Sequence, residues 1–587
     1  MILGDIHDAL VPLAPRKNGG SMLDQLSAIA AAAFAQCGFE PTLGRVILSN
    51  RPQLCQFQCD GAMKGAKALR RPPLEIARAV ADVLAANPVF ASVDVAPPGF
   101  INLNVTDEFL LQSLTGAAGD ARLGVPADEN PRMIVLDYCG PNVAKPLHVG
   151  HLRPAIIGES LKRLMKFIGH KVIADNHLGD WGLQMGQVIA QLEELGVAEA
   201  DITAELLCDV YPQASARSKT EPEFRKKAQD YTVALQQRDP EKFALWEKIV
   251  ETSCVDFREN FAVLGVSYDY WYGESYADQF IPAVLDILKQ QNLLRLDNGA
   301  QVVDVTQEDD NPPMPPAIII KSDGAYNYET TDVATIHQRV QEFAPDEIWY
   351  VVDKRQALHF KQVFRVAHNS GIAPAALRLS HIGNGTMNGS DGRPFKTRDG
   401  GTMRLSDLLE QATAQAMEKI ANSTYIAEQD KADVARKIAV ASIKFGDLSN
   451  HWTKDYIFDL QKFLSFEGKT GSYILYTLAR INSILGKASD DSPQFTQLTG
   501  DAERELAIGL LLTGQQFAQA AAQQAPNFVA ESAYTIAVAF AKFYHDSNIL
   551  GETCAQARAS RLALCKLTRD LLLLHLDILG IEAVEAM

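Results

Sequence analysis

Apolar side chains at Met22, Leu23, Leu26, Ile29, Ala30 and Ala33 recur every three to four residues, which predicts a helix with one buried face. The pattern then shortens. Apolar runs at Val46 to Leu48 and at Phe100 to Val105, the second set off by Pro97-Pro98-Gly99, read as strands. Residues 1–107 are therefore expected to form an α+β unit. Beyond a Gly- and Asp-rich stretch, Met133-Ile134-Val135-Leu136 is apolar without alternation, as in a strand covered on both faces. The loop PNVAKPLHVGH follows, then a helical pattern (Leu152, Ile156, Leu161, Leu164, Met165, Ile168) that stops at Gly169, then a short strand at Lys171 to Ala174. Strand, loop, helix, strand is the opening βαβ unit of a doubly wound parallel sheet.

Residues 200–260 are helical in pattern and rich in charge and Gln, which marks an insertion. Strand signals return at Val302 to Val305, Ile318 to Lys321, Ile348 to Val352 and Leu377 to Ile382, and from residue 405 nearly every segment has helical period. The expected organisation is a multidomain α/β chain. It has an α+β unit over 1–107, a doubly wound unit over 108–404 with the insertion near 200–260, a helical connector over 405–455, and an all-α unit over 456–587.

Composition agrees with several packed domains. At roughly 150 residues per domain the 587 residues predict about four, and 47% hydrophobic against 22% charged residues excludes disorder as the main state. No window has the ~18 to 20 consecutive apolar residues of a membrane span. Asp5 and Asp8 stand where a secretory signal carries positive charge, so a cytoplasmic protein with no membrane partner is expected. The 8 cysteines form no CxxC pair, so reduced thiols and no structural zinc or other bound metal are expected. The 55 Lys and Arg against 72 Asp and Glu give a net charge of −17, which by itself disfavours a nucleic-acid partner; a local basic patch would escape that sum.

The chemistry concentrates in Asp137-Tyr-Cys-Gly-Pro-Asn142-Val-Ala-Lys145-Pro-Leu-His148-Val-Gly150-His151, at the carboxyl end of a buried strand where ligands of such sheets bind. Two histidines three apart at a helix N-terminus suit a polyphosphate, and Gly150 leaves room for a nucleotide. On these residues alone an equal alternative is that His148 caps the helix and His151 packs. Tyr328 and Asp332, four apart, share one helix face; without further context they read as a helix start with a buried ring, and Tyr473 and Tyr476 as core packing.

HVGH in this setting resembles the HIGH signature of class I aminoacyl-tRNA synthetases, and DYCGPNVAKPLHVGHLRPAIIGE resembles the arginyl-tRNA synthetases in particular. The resemblance runs along the chain through QCDGAMKGAKAL, PPGFINLNV, NYETTDVATIHQR, YVVDKRQALHF, DLSNHWTKDYIFDLQKFLSFEGKTGSYILYTLARI and LGIEAVEAM. It implies a Rossmann-type catalytic core, an N-terminal domain that contacts tRNA and an α-helical anticodon-binding domain. The implied reaction activates L-arginine with ATP, accompanied by Mg2+, to arginyl-adenylate and transfers it to the 3′ end of tRNA(Arg), with release of AMP and pyrophosphate.

The mobile KMSKS loop of the class corresponds to Phe395-Lys396-Thr397-Arg398-Asp399 between Gly-rich flanks. Phe395 and Arg398 replace its two lysines. Charge developing on transferred phosphates needs cations, and the resemblance implies that Lys145 and Arg398 supply them, with His148 and His151. ATP is expected at His148, Gly150, His151, Thr397 and Arg398. The implied arginine ligands are Asp137, Asn142, His151, Tyr328, Asp332 and Gln356, since a guanidinium seeks carboxylates in paired geometry. Cys139 and Gly140 stand where the family often has Ser. For tRNA the matching positions are Lys64, Lys67, Arg70 and Arg71, and in the last domain Tyr473, Tyr476 and Arg480, with Lys542 and Tyr544 also on helices. Rival readings are a HIGH-type nucleotidyl transferase, a class I synthetase for another amino acid and a non-catalytic RNA-binding relative. Nothing in the sequence demands more than a monomer.

Overall fold

The computed structural model describes residues 20–389, 391–393, 403–488 and 492–587. The chain begins with α1 (Met22–Gln36), started by a capping box in which Ser21 and Asp24 satisfy each other's backbone N–H groups. A four-stranded antiparallel sheet follows, made of β1 (Val46–Leu48), β2 (Phe57–Cys59), β3 (Phe90–Ala96) and β4 (Phe100–Val105) in the order β1-β2-β4-β3. Helices α2 (Gly61–Leu69) and α3 (Pro73–Ala85) cross between β2 and β3. Leu26, Phe34, Phe57, Ala77, Val80 and Leu103 close a core of their own. Helix α4 (Asp107–Ala118) leads out of this α+β domain.

The central sheet is parallel throughout. Its strands are β5 (Met133–Tyr138), β6 (Lys171–Asp175) and, further along, β10 (Glu347–Asp353) and β11 (Arg378–Asn384), in the order β11-β10-β5-β6. Both faces are covered, as the unbroken apolar run of β5 requires. Ile134 and Leu136 enter one core and Val135 the other, and β10 divides Trp349 and Val351 from Ile348 and Tyr350 in the same way. Helix α5 (Val149–Phe167) joins β5 to β6; its end is marked by Ile168 and by Gly169 at φ 105°.

Helix α6 (Leu183–Glu194) is followed by the helices of the insertion, α7 (Ala204–Thr220), α8 (Pro222–Gln236) and α9 (Pro240–Val263), then by the short α10 (Glu274–Ala277) and α11 (Ile281–Gln290). The apolar runs near 302 and 318 become β8 (Ala300–Val303) and β9 (Ala317–Ile320). With β7 (Leu294–Asp297) they form a separate three-stranded antiparallel sheet. Helix α12 (Tyr328–Phe343) precedes β10, and α13 (Ala357–Asn369) links β10 to β11.

Beyond β12 (Met387–Asn388) the described residues are mainly helical, interrupted by β13 (Tyr456–Ile457), which pairs with β12. The helices are α14 (Leu405–Ile420), α15 (Lys431–Leu448), α16 (Leu460–Phe463), α17 (Gly471–Lys487), α18 (Asp501–Leu511), α19 (Thr513–Ala522), α20 (Asn527–Asp546) and α21 (Ala555–Ile578). Their apolar faces continue the core beside α5. At that junction Lys444 of α15 is fully buried, and its ammonium donates to the carbonyls of Leu264 (2.6 Å) and Gly580. Burial, with Arg163 nearby, pulls its pKa down to about 7. Among the described residues, no helix is long and apolar enough to cross a membrane.

Candidate active site

In the order β11-β10-β5-β6 the winding reverses between β5 and β10, so the carboxyl ends of these two strands flank the crevice where open α/β sheets bind ligands. The loop leaving β5 turns sharply there. Cys139 and Gly140 both have left-handed backbone, at φ 78° and 54°. The Cys139 side chain is buried, its Sγ donating to the His151 carbonyl at 3.5 Å, and burial pushes its thiol pKa up. Neighbouring loops hold this one in place. Val143 N–H donates to Gly179 O (3.0 Å), Gly179 N–H to Pro141 O (3.1 Å) and Ala144 N–H to Ser253 Oγ of α9 (3.0 Å). Gly179 allows this because a Cβ there would lie 2.1 Å from Asn142 Oδ1.

His148 caps α5. Its Nδ1 accepts from Gly150 N–H at 3.0 Å, its own N–H donates to His151 Nδ1 at 3.0 Å, and the two rings lie 4.0 Å apart. A neutral imidazole nitrogen that accepts carries no proton, so both Nε2 atoms are N–H donors. Burial, with Lys145 adding to it, pushes His148 down to about 4. Burial, then His148 and Lys145, takes His151 well below its ordinary value. Both rings are therefore neutral at pH 7 and offer donors without charge. A Cβ on Gly150 would meet His148 Cε1 at 2.8 Å, so the space that the sequence reading gave to a nucleotide is used by the capping ring. Lys145 stands half-buried in the same loop, and its side chain has no hydrogen bond or ion pair among the described residues. Thr397 and Arg398, with the rest of their motif, lie outside the described residues.

A second group of residues gathers around the start of α12. Asp332 contacts His359 Nε2, and Glu329 lies 3.7 Å from His359 Nδ1. Burial opposes charging of that ring, but its hydrogen bonds to Asp332 and Glu329 win and raise its pKa to about 10. Glu274, the first residue of α10, is pushed up to about 8 by burial and then by the charges of Asp332 and Asp180. Tyr328 is 66% exposed at the mouth, and Glu274 and Tyr211 are close enough to raise its pKa alongside burial. The predicted Tyr328 and Asp332 thus share this corner with Glu274, which the sequence reading missed. Only its place in the aromatic-rich stretch Tyr268 to Tyr276, whose two carboxylates are Asp269 and Glu274, marks it. Gln356 is exposed in the turn that leaves β10.

Asp137 is placed differently from the expectation. The parallel register sets it beside Asp175, and α12 brings Arg339 between them, with Nη2 2.6 Å from Asp137 Oδ2 and 2.7 Å from Asp175 Oδ2. All three are buried, so the carboxylate expected to bind a guanidinium already binds one belonging to the protein. Among the described residues, Asp137, Asp175 and His177 form the single trio close enough to ligate a metal. A guanidinium between two of its carboxylates does not fit that role.

Away from the crevice, Lys64 and Lys67 lie exposed on α2, with Lys64 paired to Asp60 at 2.8 Å. Arg70 and Arg71 follow directly, exposed as well. On the helical domain, the Arg480 guanidinium lies 4.8 Å from the Tyr476 ring and 4.9 Å from that of Tyr544, and donates to Tyr476 Oη at 2.8 Å. Tyr473 instead turns toward the core, with its ring 5.9 Å from Tyr534.

Residues 116–460 match the family described as tRNA synthetases class I (R), catalytic domain. Residues 24–105 match the arginyl tRNA synthetase N terminal domain, and residues 474–587 the DALR anticodon binding domain. The chain is 43% identical over 584 residues to an arginine-tRNA ligase of Alkaliphilus oremlandii, covering 96% of this chain and 100% of the relative. It is 41% identical over 588 residues to one of Hyphomonas neptunium, covering 97% and 100%. Among solved structures it resembles arginyl-tRNA synthetase from Plasmodium falciparum, with a TM-score of 0.83 at 25% identity over 97% of this chain and 100% of that one. It also shares the fold of the Thermus thermophilus protein, with a TM-score of 0.78 at 23% identity over 96% and 100%.

Proposed function

The chain belongs to the arginyl-tRNA synthetases of class I, which join arginine to its tRNA with ATP, and we propose that its crevice divides this work between two groups of residues. The Glu274, Tyr328 and Asp332 corner takes the guanidinium of arginine. Asn142, His151 and Gln356 face the other end of the amino acid. Lys145, His148 and His151 take the phosphates of ATP, together with Thr397 and Arg398. The observation that carries the reading is the corner itself: the carboxylates of Glu329 and Asp332 are opposed by one imidazolium, His359, and the neighbouring Glu274 carboxyl is held neutral up to about pH 8, so a further cation completes the balance.

In the first step an arginine carboxylate oxygen bonds to the α-phosphorus, the bond from that phosphorus to the bridging oxygen breaks, and pyrophosphate leaves with the electron pair. In the second, a terminal ribose hydroxyl of the tRNA attacks the activated carbonyl and AMP leaves. Neither step needs a protein nucleophile, so the residues act by positioning and by stabilising charge. The neutral Nε2–H groups of His148 and His151 follow the α-phosphate without repelling a cation beside them. Magnesium enters as the companion of ATP. The basic edge of α2 meets the tRNA body, and Tyr476 and Arg480 meet the anticodon loop by stacking and phosphate contact. The enzyme works as a cytoplasmic monomer.

Arginine-dependent pyrophosphate exchange, run with and without tRNA, tests the assignment. Exchange supported by another amino acid and not by arginine would overturn it. Lys145→Ala is expected to lower the rate of adenylate formation roughly 100-fold with the KM for arginine nearly unchanged, the pattern of a contact made in the transition state. An unchanged kcat removes Lys145 from the phosphate role.

A further inference from the structure

A cleft of about 380 Å3 opens beside His148, between its loop and the insertion helix α7, with Lys145, His148, Tyr211, Lys219 and Arg404 among its walls. Three full positive charges converge here from distant parts of the sequence: Lys145 from the loop, Lys219 from the last turn of α7 and Arg404 from the entry to α14. Among the described residues none of the three side chains has a hydrogen bond or an ion pair, and Asp256, close enough to feel Arg404, lies beyond ion-pair distance. Arg404 is also held in register. It pairs with His148 in an antiparallel bridge, flanked by Val149 N–H to Met403 O (3.1 Å) and Leu405 N–H to Leu147 O (3.0 Å), so backbone pairing fixes both residues in the wall of the cleft.

Three unpaired cations in so small a volume repel one another unless an anion of high charge density joins them. A nucleic-acid strand offers one charge per nucleotide; a diphosphate offers several on adjacent phosphorus atoms. We propose that Lys219 and Arg404 join Lys145 and His148 in binding the β- and γ-phosphates of ATP and then the pyrophosphate that leaves. The inference rests on the assignment of Lys145 and His148 to the phosphate end of the site. It adds a chemical reason for cations there. When the bond from the α-phosphorus to the bridging oxygen breaks, its electron pair adds a negative charge to the departing group, and the neutral imidazole of His148 can donate a hydrogen bond to that charge but cannot neutralise it.

Inorganic pyrophosphate is the probe, at one magnesium concentration throughout, with wild type, Lys219→Ala and Arg404→Ala. Both residues are exposed, so the variants keep the fold, which a thermal melt verifies. Each substitution is expected to weaken calorimetric binding of pyrophosphate about tenfold, the loss of one charge-assisted contact. The KM for pyrophosphate in exchange at saturating tRNA should rise equally, with the KM for arginine unchanged. Lys219→Arg and Arg404→Lys should recover most of the loss. Pyrophosphate binding equal in all forms overturns the inference. So does a raised KM for tRNA with pyrophosphate binding intact, which would give the cleft to the tRNA backbone. If the wild type itself fails to exchange with arginine, the functional assignment falls; if it exchanges and the variants match it, only this inference does.

Discussion

Two groups of carboxylates lie in the crevice, and they differ in the cation each one meets. Asp137 and Asp175, neighbours across a parallel strand pair, enclose Arg339 of the same chain, which is 0% exposed. Glu274, Glu329 and Asp332, at the start of α12 and on α10, face a half-buried His359 and keep a surplus of negative charge. The first group holds its cation inside the fold. The second is left unbalanced, and the measure of that is Glu274, whose proton is held up to about pH 8 because burial and two neighbouring carboxylates disfavour its charge. A buried guanidinium anchors the first group in the fold; the second is the corner proposed for the guanidinium of the substrate.

The largest break in this contrast comes from Arg339→Met. It leaves two buried carboxylates without a partner, and the expected loss is roughly 3–5 kcal/mol of stability, read as an earlier unfolding midpoint in denaturant. A variant as stable as the wild type would mean that the internal pair is not an anchor.

Next in size is Asp332→Asn. With one charged partner gone, the KM for arginine is expected to rise roughly 30- to 100-fold with the KM for ATP and the unfolding midpoint held, as for loss of a charge-assisted hydrogen bond. A parallel rise for ATP would place Asp332 outside the amino-acid corner.

Glu274→Gln has the smallest effect and the sharpest signature. Below about pH 8 the wild-type carboxyl is neutral and resembles the amide; above it the carboxylate forms and attracts the substrate cation. The wild-type kcat/KM for arginine should therefore climb as pH rises toward about 8, while the variant lacks that limb. The two should be similar at acid pH and about tenfold apart on the alkaline side. Equal profiles would remove Glu274 from the corner.

The local parts of this site could be read from the sequence. The apolar run of β5, the loop and the capped α5 lie within consecutive residues, and Tyr328 and Asp332 share a helix face because four residues make about one turn. What escaped depends on register and distance. Arg339 reaches Asp137 across 202 positions and Asp175 across 164, a contact fixed by strand pairing and the packing of α12. Glu274 sits on a four-residue helix, too short to leave a periodic signal. The runs near 302 and 318 were legible as strands, but an apolar run does not name its partner, and they pair in a separate antiparallel sheet.

The buried ammonium of Lys444 bears on the order in which the protein can be made. Of its two carbonyl acceptors, one belongs to Leu264, synthesised 180 positions before it, and the other belongs to Gly580, synthesised 136 positions after it. A nascent chain that has finished its catalytic sheet and even α15 still carries a lysine with half its ligands missing. The seam between the catalytic core and the helical domain therefore closes only after residue 580 has been made, 136 positions beyond the lysine it satisfies.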